Sequence, residues 1–419
     1  MMYTQHALER ALCGGRSLNI QSDVPFGLSE IDAAWLTGAL REGGVLGEEE
    51  VTGFTHRIIG EETGFLGQVV ILTLEYSHED VDAPATMVLK IPTPLKNRVM
   101  GQTMGVYEKE IRFYRDLKQK LRIRTPQHYY SALSAVDDPE MVRERLGKLQ
   151  QLPVSVVAMM TVLVRWFFSL RPRRYVLLIE DVSRYRLGDQ LGGCSEGDVR
   201  AALNAMAKLH SQFWDSEELD SLTWIQPVNL TTKIMHMVYM QSVGKYRKAH
   251  EKNLSARQVR LLDWLKENGL RLTETLSQNP KTLIHGDFRL DNLCFDDDRG
   301  EALVLDWQNM LAGSAALDLS YFLSAALPFD TSEEKVNELI EHYRQRLTEE
   351  GVEISPERIR WLYDVGMLAM LHRIAPILFQ ETLELGSDRG PEVMQMWVDK
   401  TYARLERIDF EGILDRIPN

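Results

Sequence analysis

Apolar and polar positions divide the chain into a strand-rich first part and a helical second part. VVILTLEY (69–76) and TMVLKI (86–91) are β-branched, partly alternating runs bounded by turn residues, which predicts two strands. VYEKEIRFYRDL (106–117) carries Tyr107, Ile111 and Tyr114 at i, i+4 and i+7, with Val106, Phe113 and Leu117 widening the stripe, so a helix follows. Glu110 lies one turn from both Tyr107 and Tyr114 and is turned inward with them. Glu108 and Arg112 are four residues apart and form a surface pair. YVLLIE (175–180) reads as a buried strand, and 181–186 leaves it as a linker. An amphipathic helix is predicted over 196–214, with Val199, Leu203, Met206, Leu209 and Phe213 on one face. Helical segments occupy 231–277. Two short strands, 283–284 and 302–307, precede a mostly helical stretch over 314–414 with a turn near 386–391. The fold class is α+β: a small β-rich lobe over 1–181 and a larger, mostly helical lobe over 182–419.

Composition narrows the function. Of 419 residues, 48 are Lys or Arg and 61 are Asp or Glu, a net charge of −13. An acidic chain is a poor partner for a phosphate backbone, so no nucleic-acid role is expected. Cys13, Cys194 and Cys294 are far apart and form no CxxC, which argues for a reducing, cytoplasmic setting without disulfides or zinc. The first residues lack a basic segment followed by an apolar one, so a signal peptide is not expected.

The candidate chemistry is concentrated in LIHGDFRLDNLCF (283–295) and LVLDWQ (303–308). Phosphoryl transfer asks a protein mainly for positioning. A carboxylate must accept the proton of the attacking hydroxyl, and hard oxygen ligands must hold Mg²⁺ against the phosphates. Asp287 suits the first task, and Asn292 with Asp306 the second. Lys90 sits among apolar residues in MVLKI, where a charge needs a partner. Glu110 is the candidate, and the pair would anchor phosphates. GEETGFLG (60–67), with Gly64, Phe65 and Gly67, could lay backbone N–H groups over the phosphates.

These residues together resemble the aminoglycoside phosphotransferase and choline kinase superfamily, whose signature is HGDxxxxN followed by a strand ending in D[FW]. GFLG, EKEIRFYRDL, LLIEDVS, ALNAMAKLHSQFW and LDWQ are most similar to its ecdysteroid kinase-like branch, which phosphorylates hydroxyls on lipophilic molecules such as steroids. The resemblance covers about 50–380 and implies a bilobal protein-kinase-like fold that uses ATP, or GTP, with Mg²⁺. It implies Asp287 as catalytic base, Asn292 and Asp306 as metal ligands, and Lys90 with Glu110 at the phosphates. Glu180 and Val182 would offer backbone groups to the adenine. Asp318 would steady the catalytic loop, and His285 would shape it. His210 and His372 are expected to be packing residues. Arg289 departs from the usual pattern and could meet a phosphate or an anionic substrate.

The resemblance also exposes an insertion. The strands matching YYSAL (129–133) and YVLLIE are usually joined by a short turn, but here about forty residues (135–172) intervene. They comprise a charged helical segment, 141–150, and an apolar run, 152–170, whose one charge is Arg165. Strands of one sheet on both sides argue against a membrane span. The open readings are a helix packed on the body, a peripheral membrane or self-association contact, or a lid over a greasy acceptor site. The leading function is an ATP-dependent small-molecule O-phosphotransferase. A choline-, ethanolamine- or antibiotic-type kinase and a silent kinase-fold binding protein are the alternatives. The twelve residues between Asp306 and Asp318 leave no room for a recognisable activation segment, against a protein kinase.

Overall fold

The computed structural model describes residues 24–59, 67–93, 95–170, 172–278, 280–374 and 389–418. The chain forms two compact units. The first takes residues up to 120, 127–137 and 167–181. The second takes 121–126, 138–166 and 182–419. Segments 121–126 and 138–166, which fall inside the N-terminal range drawn from the sequence, therefore group with the second unit.

The first unit is built on a five-stranded antiparallel sheet. Its elements are α1 (Ala33–Glu42), β1 (Val51–Ile59), β2 (Gly67–Tyr76), β3 (Thr86–Pro92), α2 (Leu95–Met104), α3 (Val106–Arg112), β4 (His128–Leu133) and β5 (Tyr175–Glu180). The sheet order is β1-β2-β3-β5-β4. Two-residue alternation explains the packing. Val70, Leu72 and Leu74 of β2, Met87, Leu89 and Ile91 of β3, and Val176 and Leu178 of β5 join Leu36 and Leu40 of α1 in one core. Lys90 falls on the opposite face of β3. The sequence reading passed over β1, because Thr52, Thr55, His56 and Arg57 interrupt its apolar residues. It is an edge strand with only β2 beside it, and its middle residues face water. The expected helix over 106–117 is regular only to Arg112. Residues Phe113–Leu117 form a π-helical turn that buries Phe113, Tyr114 and Leu117.

The second unit is mostly helical. It contains α4 (Pro139–Gln151), most of α5 (Val154–Leu170), β6 (Arg186–Leu187), α6 (Glu196–Gln212), α7 (Glu217–Ser221), α8 (Thr232–Ala249) and α9 (Ala256–Thr275). Then come β7 (Thr282–Ile284), β8 (Leu293–Asp296), β9 (Glu301–Val304), β10 (Leu311–Gly313), α10 (Ala316–Ala326), α11 (Glu333–Glu349), α12 (Pro356–Ile374) and α13 (Arg389–Leu405). Ser195 caps α6 by accepting from Asp198 N–H, and the Asp198 carboxylate accepts from Ser195 N–H. Two expectations are corrected. The strand expected over 302–307 ends at Val304, because Leu305 N–H turns to Asn292 O (2.8 Å). Of the turn expected near 386–391, residues 389–391 already belong to α13, and 386–388 lie outside the described residues.

The apolar run is helical as α5, but packing on the body does not hide it. Val157 is buried, whereas Met159, Val162, Leu163 and Trp166 are each more than half exposed. Among the described residues no helix is long and apolar enough to cross a membrane.

His236 of α8 and His372 of α12 meet edge on, Nδ1 to Nε2 at 3.1 Å, over Gly269 of α9. A Cβ on Gly269 would stand 2.4 Å from that Nε2, so only glycine fits. Burial pushes His372 from 6.5 down to about 3, and burial lowers His236 too. The unfolded chain therefore takes up protons on these histidines before the folded one does. Their contribution is complete above the ordinary value and is lost as pH falls towards 3. Between pH 6 and 4 the loss is expected to approach about 1.4 kcal/mol per pH unit for His372. Urea denaturation across that range checks it, and His372→Gln should flatten the slope relative to the parent.

Candidate active site

A buried carboxylate organises the loop between β7 and β8. Asp318, in the first turn of α10, accepts from His285 N–H (2.6 Å, Oδ2) and Gly286 N–H (2.9 Å, Oδ1). His210 Nε2 also stands 3.2 Å from Oδ2, and His210 Nδ1 faces the Tyr343 hydroxyl at 2.7 Å. Burial alone would raise the Asp318 pKa. The His210 contact and the Gly286 N–H outweigh it, and the carboxyl is held below its ordinary value. Gly286 has φ +78°, and a Cβ there would meet Asn309 O at 2.2 Å. The chain can therefore turn here only as glycine. His285 Nε2 donates to Leu305 O (2.8 Å), which leaves Nδ1 to accept from Asp287 N–H (3.3 Å). His285 thus ties the loop to the segment that follows β9.

Both oxygens of Asp287 are held. Tyr321 of α10 donates its hydroxyl to Oδ1 (2.7 Å), and Asn292 Nδ2 donates to Oδ2 (3.0 Å) and to Asp287 O (2.8 Å). Burial and the neighbouring Asp287 charge push the Tyr321 phenol well above its ordinary value, so it stays a donor. Arg289 lies beside the same carboxylate (Nε to Oδ1 3.5 Å) and bonds to Asp291. Burial opposes its charge, but Asp287, Asp291 and Asp306 keep it firmly protonated.

The β8–β9 register brings the two expected metal ligands together. Leu293 opposes Val304 in that hairpin, and Leu305 N–H bonds to Asn292 O, so Asp306 follows directly. Asp306 has φ +60°, a left-handed conformation that among the described non-glycine residues only Asp215 shares. Such strain is held where a side chain must be aimed. Its Oδ2 accepts from Gln308 Nε2 (3.0 Å). Asn292 spends its amide nitrogen on Asp287, and its Oδ1 has no protein partner among the described residues. One carboxylate and one amide oxygen fit Mg²⁺, which keeps several waters and takes its remaining ligands from phosphates.

In the first unit, Lys90 Nζ is 2.5 Å from Glu110 Oε1, and both side chains are largely buried. Gly67 opens β2 opposite Pro92, and Gly64 and Phe65 lie outside the described residues. Glu180 ends β5, its N–H donating to Gln127 O (2.8 Å) and its carboxylate accepting from Gln127 N–H (3.0 Å). Val182, in the second unit, packs on Cys294 and Leu303. Its carbonyl accepts from Tyr185 N–H (2.9 Å).

Sequence reasoning missed three residues here. Tyr321 lies three residues after Asp318 and so shares its helix face, a spacing that could have been read. Gln190 clamps the loop, donating from N–H to Asp291 (2.8 Å) and from Nε2 to Ala325 O (2.9 Å) and accepting from Leu290 N–H (3.0 Å). Nothing local in the sequence marks it. Arg373 of α12 feels the charges of Asp318 and Asp287, although it lies fifty or more residues from each in sequence.

The profile of the ecdysteroid kinase-like family matches residues 61–354, more than two thirds of the chain. The chain belongs to the ecdysteroid kinase-like family. The kinase-like α+β organisation is the one read from the sequence, and members of this family resemble small-molecule phosphotransferases. A 90-residue stretch is 38% identical to mouse acyl-CoA dehydrogenase family member 10. That stretch is 20% of this chain, and the chain spans 8% of the mouse protein's length. Among solved structures, an aminoglycoside phosphotransferase-like protein of Ralstonia eutropha is 15% identical, with TM-score 0.46, over 88% of this chain and 96% of that one. Choline kinase of Cryptosporidium parvum is 12% identical, with TM-score 0.49, over 86% and 91%. Plasmodium vivax ethanolamine kinase is 10% identical, with TM-score 0.47, over 86% and 85%.

Asp318→Ala would leave two buried N–H groups and His210 without their acceptor. We expect a loss of about 3 kcal/mol or more, read as a lowered urea midpoint.

Proposed function

We propose that this protein transfers the γ-phosphoryl group of ATP, with Mg²⁺, to a hydroxyl of a small, lipophilic molecule. The observation that carries this reading is the Asp287 carboxylate, fixed through one oxygen by Asn292 and through the other by Tyr321. A carboxylate held in this way is a preset proton acceptor. The acceptor oxygen attacks phosphorus, the bond to the leaving diphosphate breaks, and the hydroxyl proton passes to Asp287. Asn292 Oδ1 and Asp306 would hold Mg²⁺, which when bound neutralises phosphate charge. Lys90, oriented by Glu110, would contact the phosphates. Val182 N–H, without a partner among the described residues, is the backbone donor we assign to the adenine, and Glu180 precedes it at the end of β5.

Asp287→Ala is expected to lower kcat by about 10²–10⁴ while Mg²⁺-dependent ATP binding persists. Purified protein, a mixed panel of alcohols, ATP or GTP, and mass spectrometry for an added phosphate provide the check. Unchanged transfer in the variant would remove Asp287 from the chemistry. ATP binding without any product in the parent would favour a silent scaffold.

Helix α5 is assigned to a peripheral membrane contact. Residues 145–179 hold six Arg or Lys and no acid, in a chain of net charge −13, and of these Lys148, Arg173 and Arg174 already pair with Glu144, Asp137 and Glu30. An apolar helix with a basic surround suits the boundary of an anionic bilayer. The protein should therefore co-sediment with phosphatidylserine vesicles and much less with phosphatidylcholine ones, and Trp166→Ser with Leu163→Ser should reduce the binding. Vesicle-independent, concentration-dependent dimers lost in the same variant would instead make α5 a contact between copies.

A further inference from the structure

Arg289 stands in the loop between β7 and β8 with two candidate destinations, a phosphate or an anionic part of the acceptor. It is the one Arg or Lys within HGDFRLDN (285–292), where Asp287 and Asp291 are carboxylates, and Asp306 brings a third carboxylate to the site. Nε of Arg289 lies 3.5 Å from Asp287 Oδ1, and Nη1 donates to Asp291 Oδ2. These two carboxylates account for the burial of its charge, and no ligand is needed for that.

The guanidinium is held from behind by the fold. Asp291 Oδ1 accepts from Gln190 N–H (2.8 Å). Gln190 in turn accepts from Leu290 N–H (3.0 Å) and donates from Nε2 to Ala325 O of α10 (2.9 Å). With Nε and Nη1 facing fixed carboxylates, the plane of the group is set. Nη2 lies on the same edge of the planar fork as Nε–H, next to Asp287. It makes no hydrogen bond to any described residue, and the side chain is still 14% exposed.

The chemistry of transfer decides between the two destinations. The attacking hydroxyl must come within about 2.6–3.2 Å of the Asp287 carboxylate, and phosphorus within about 3.5 Å of that hydroxyl. That brings the phosphoryl oxygens into the neighbourhood of a guanidinium whose Nε is already 3.5 Å from Asp287. An anionic group elsewhere on an acceptor has no such fixed place. Charge points the same way. Three carboxylates repel an arriving triphosphate, and Arg289 is the loop's own cation against them. A donor oriented in advance beside developing negative charge needs no reorganisation when that charge appears.

We infer that Arg289 binds the phosphoryl group in transfer. Its Nη2 donates to the phosphoryl oxygens while the bond to the acceptor oxygen forms, the bond to the leaving diphosphate breaks, and the hydroxyl proton goes to Asp287. Asp291 and Gln190 act through Arg289 and are positioning residues. The inference rests on the proposed phosphotransferase reading and names the residue that meets the moving group.

Nucleotide binding tests this apart from turnover. Isothermal titration of the full chain would compare MgADP with MgADP plus aluminium fluoride, which stands in for the group in transfer. The parent should bind the fluoride complex about tenfold or more tighter than MgADP. Arg289→Ala should lose that gain while MgADP affinity stays within about twofold, and Arg289→Lys, a point charge without the fork, should keep part of it. In transfer assays Arg289→Ala should lower kcat by about 10²-fold or more, and added guanidinium ion should restore part of the loss. The double variant Arg289→Ala, Asp291→Asn strands no carboxylate and carries the same test if the single variant does not fold. No gain in the parent, or a gain that survives in Arg289→Ala, overturns the proposal. A parallel fall in MgADP affinity and urea midpoint reduces Arg289 to a structural role. A raised KM confined to anionic acceptors, with the fluoride gain intact, gives Arg289 to the acceptor instead. An Arg289-dependent gain without phosphate transfer to any alcohol removes the phosphotransferase reading and leaves Arg289 as a γ-phosphate ligand. Transfer by the parent that is unchanged in Arg289→Ala does the reverse.

Discussion

The buried carboxylate of Asp318 is the constraint on which the site depends. It is a charge taken out of water, and it is tolerable only because two backbone N–H groups and His210 converge on it. Those bonds set the conformation of His285 and Gly286. His285 then spends its two ring nitrogens on Leu305 O and Asp287 N–H, which couples the loop carrying Asp287 to the segment carrying Asp306. A group with no contact to reacting atoms thus fixes the spacing of those that would make such contacts. The cost of burying it is offset within the same few residues.

Asp287 inherits an asymmetric environment from this frame. One oxygen looks to an amide that has a second oxygen to give a metal. The other looks to a phenol on the helix whose first turn carries Asp318. A single carboxylate is therefore bounded by two chemically different neighbourhoods. Arg289 joins the phenol on that side, its Nε 3.5 Å from Oδ1.

Much of this was legible in the sequence because it is local. HGDFRLDN compresses the loop into eight residues, and the strand-helix order of 86–112 carries Lys90 and Glu110 together. Their meeting at 2.5 Å follows from two periodicities, two for β3 and 3.6 for α3. What was not legible depends on long-range packing. Gln190 reaches the loop across a hundred residues. The edge strand β1 was passed over because a strand open to water need not alternate cleanly. The left-handed backbone of Asp306 was hidden too, since its residue type does not demand it.

The π-helical turn after Arg112 has a consequence for how relatives of this chain can differ. A π turn accommodates one residue more than regular α-helix would. Removing one residue from 113–117 would restore ordinary helix and leave the two sides in phase, whereas a deletion elsewhere in the helix, with the turn kept, would rotate one side by about 100° relative to the other. Glu110 is held on one side by Lys90, while Phe113, Tyr114 and Leu117 are packed on the other. Both halves can keep their contacts only if the extra residue stays or its loss is absorbed at the same place. Relatives that lack it should therefore carry their gap within this turn, so that a single missing residue in an alignment would mark the phase boundary between ion pair and core.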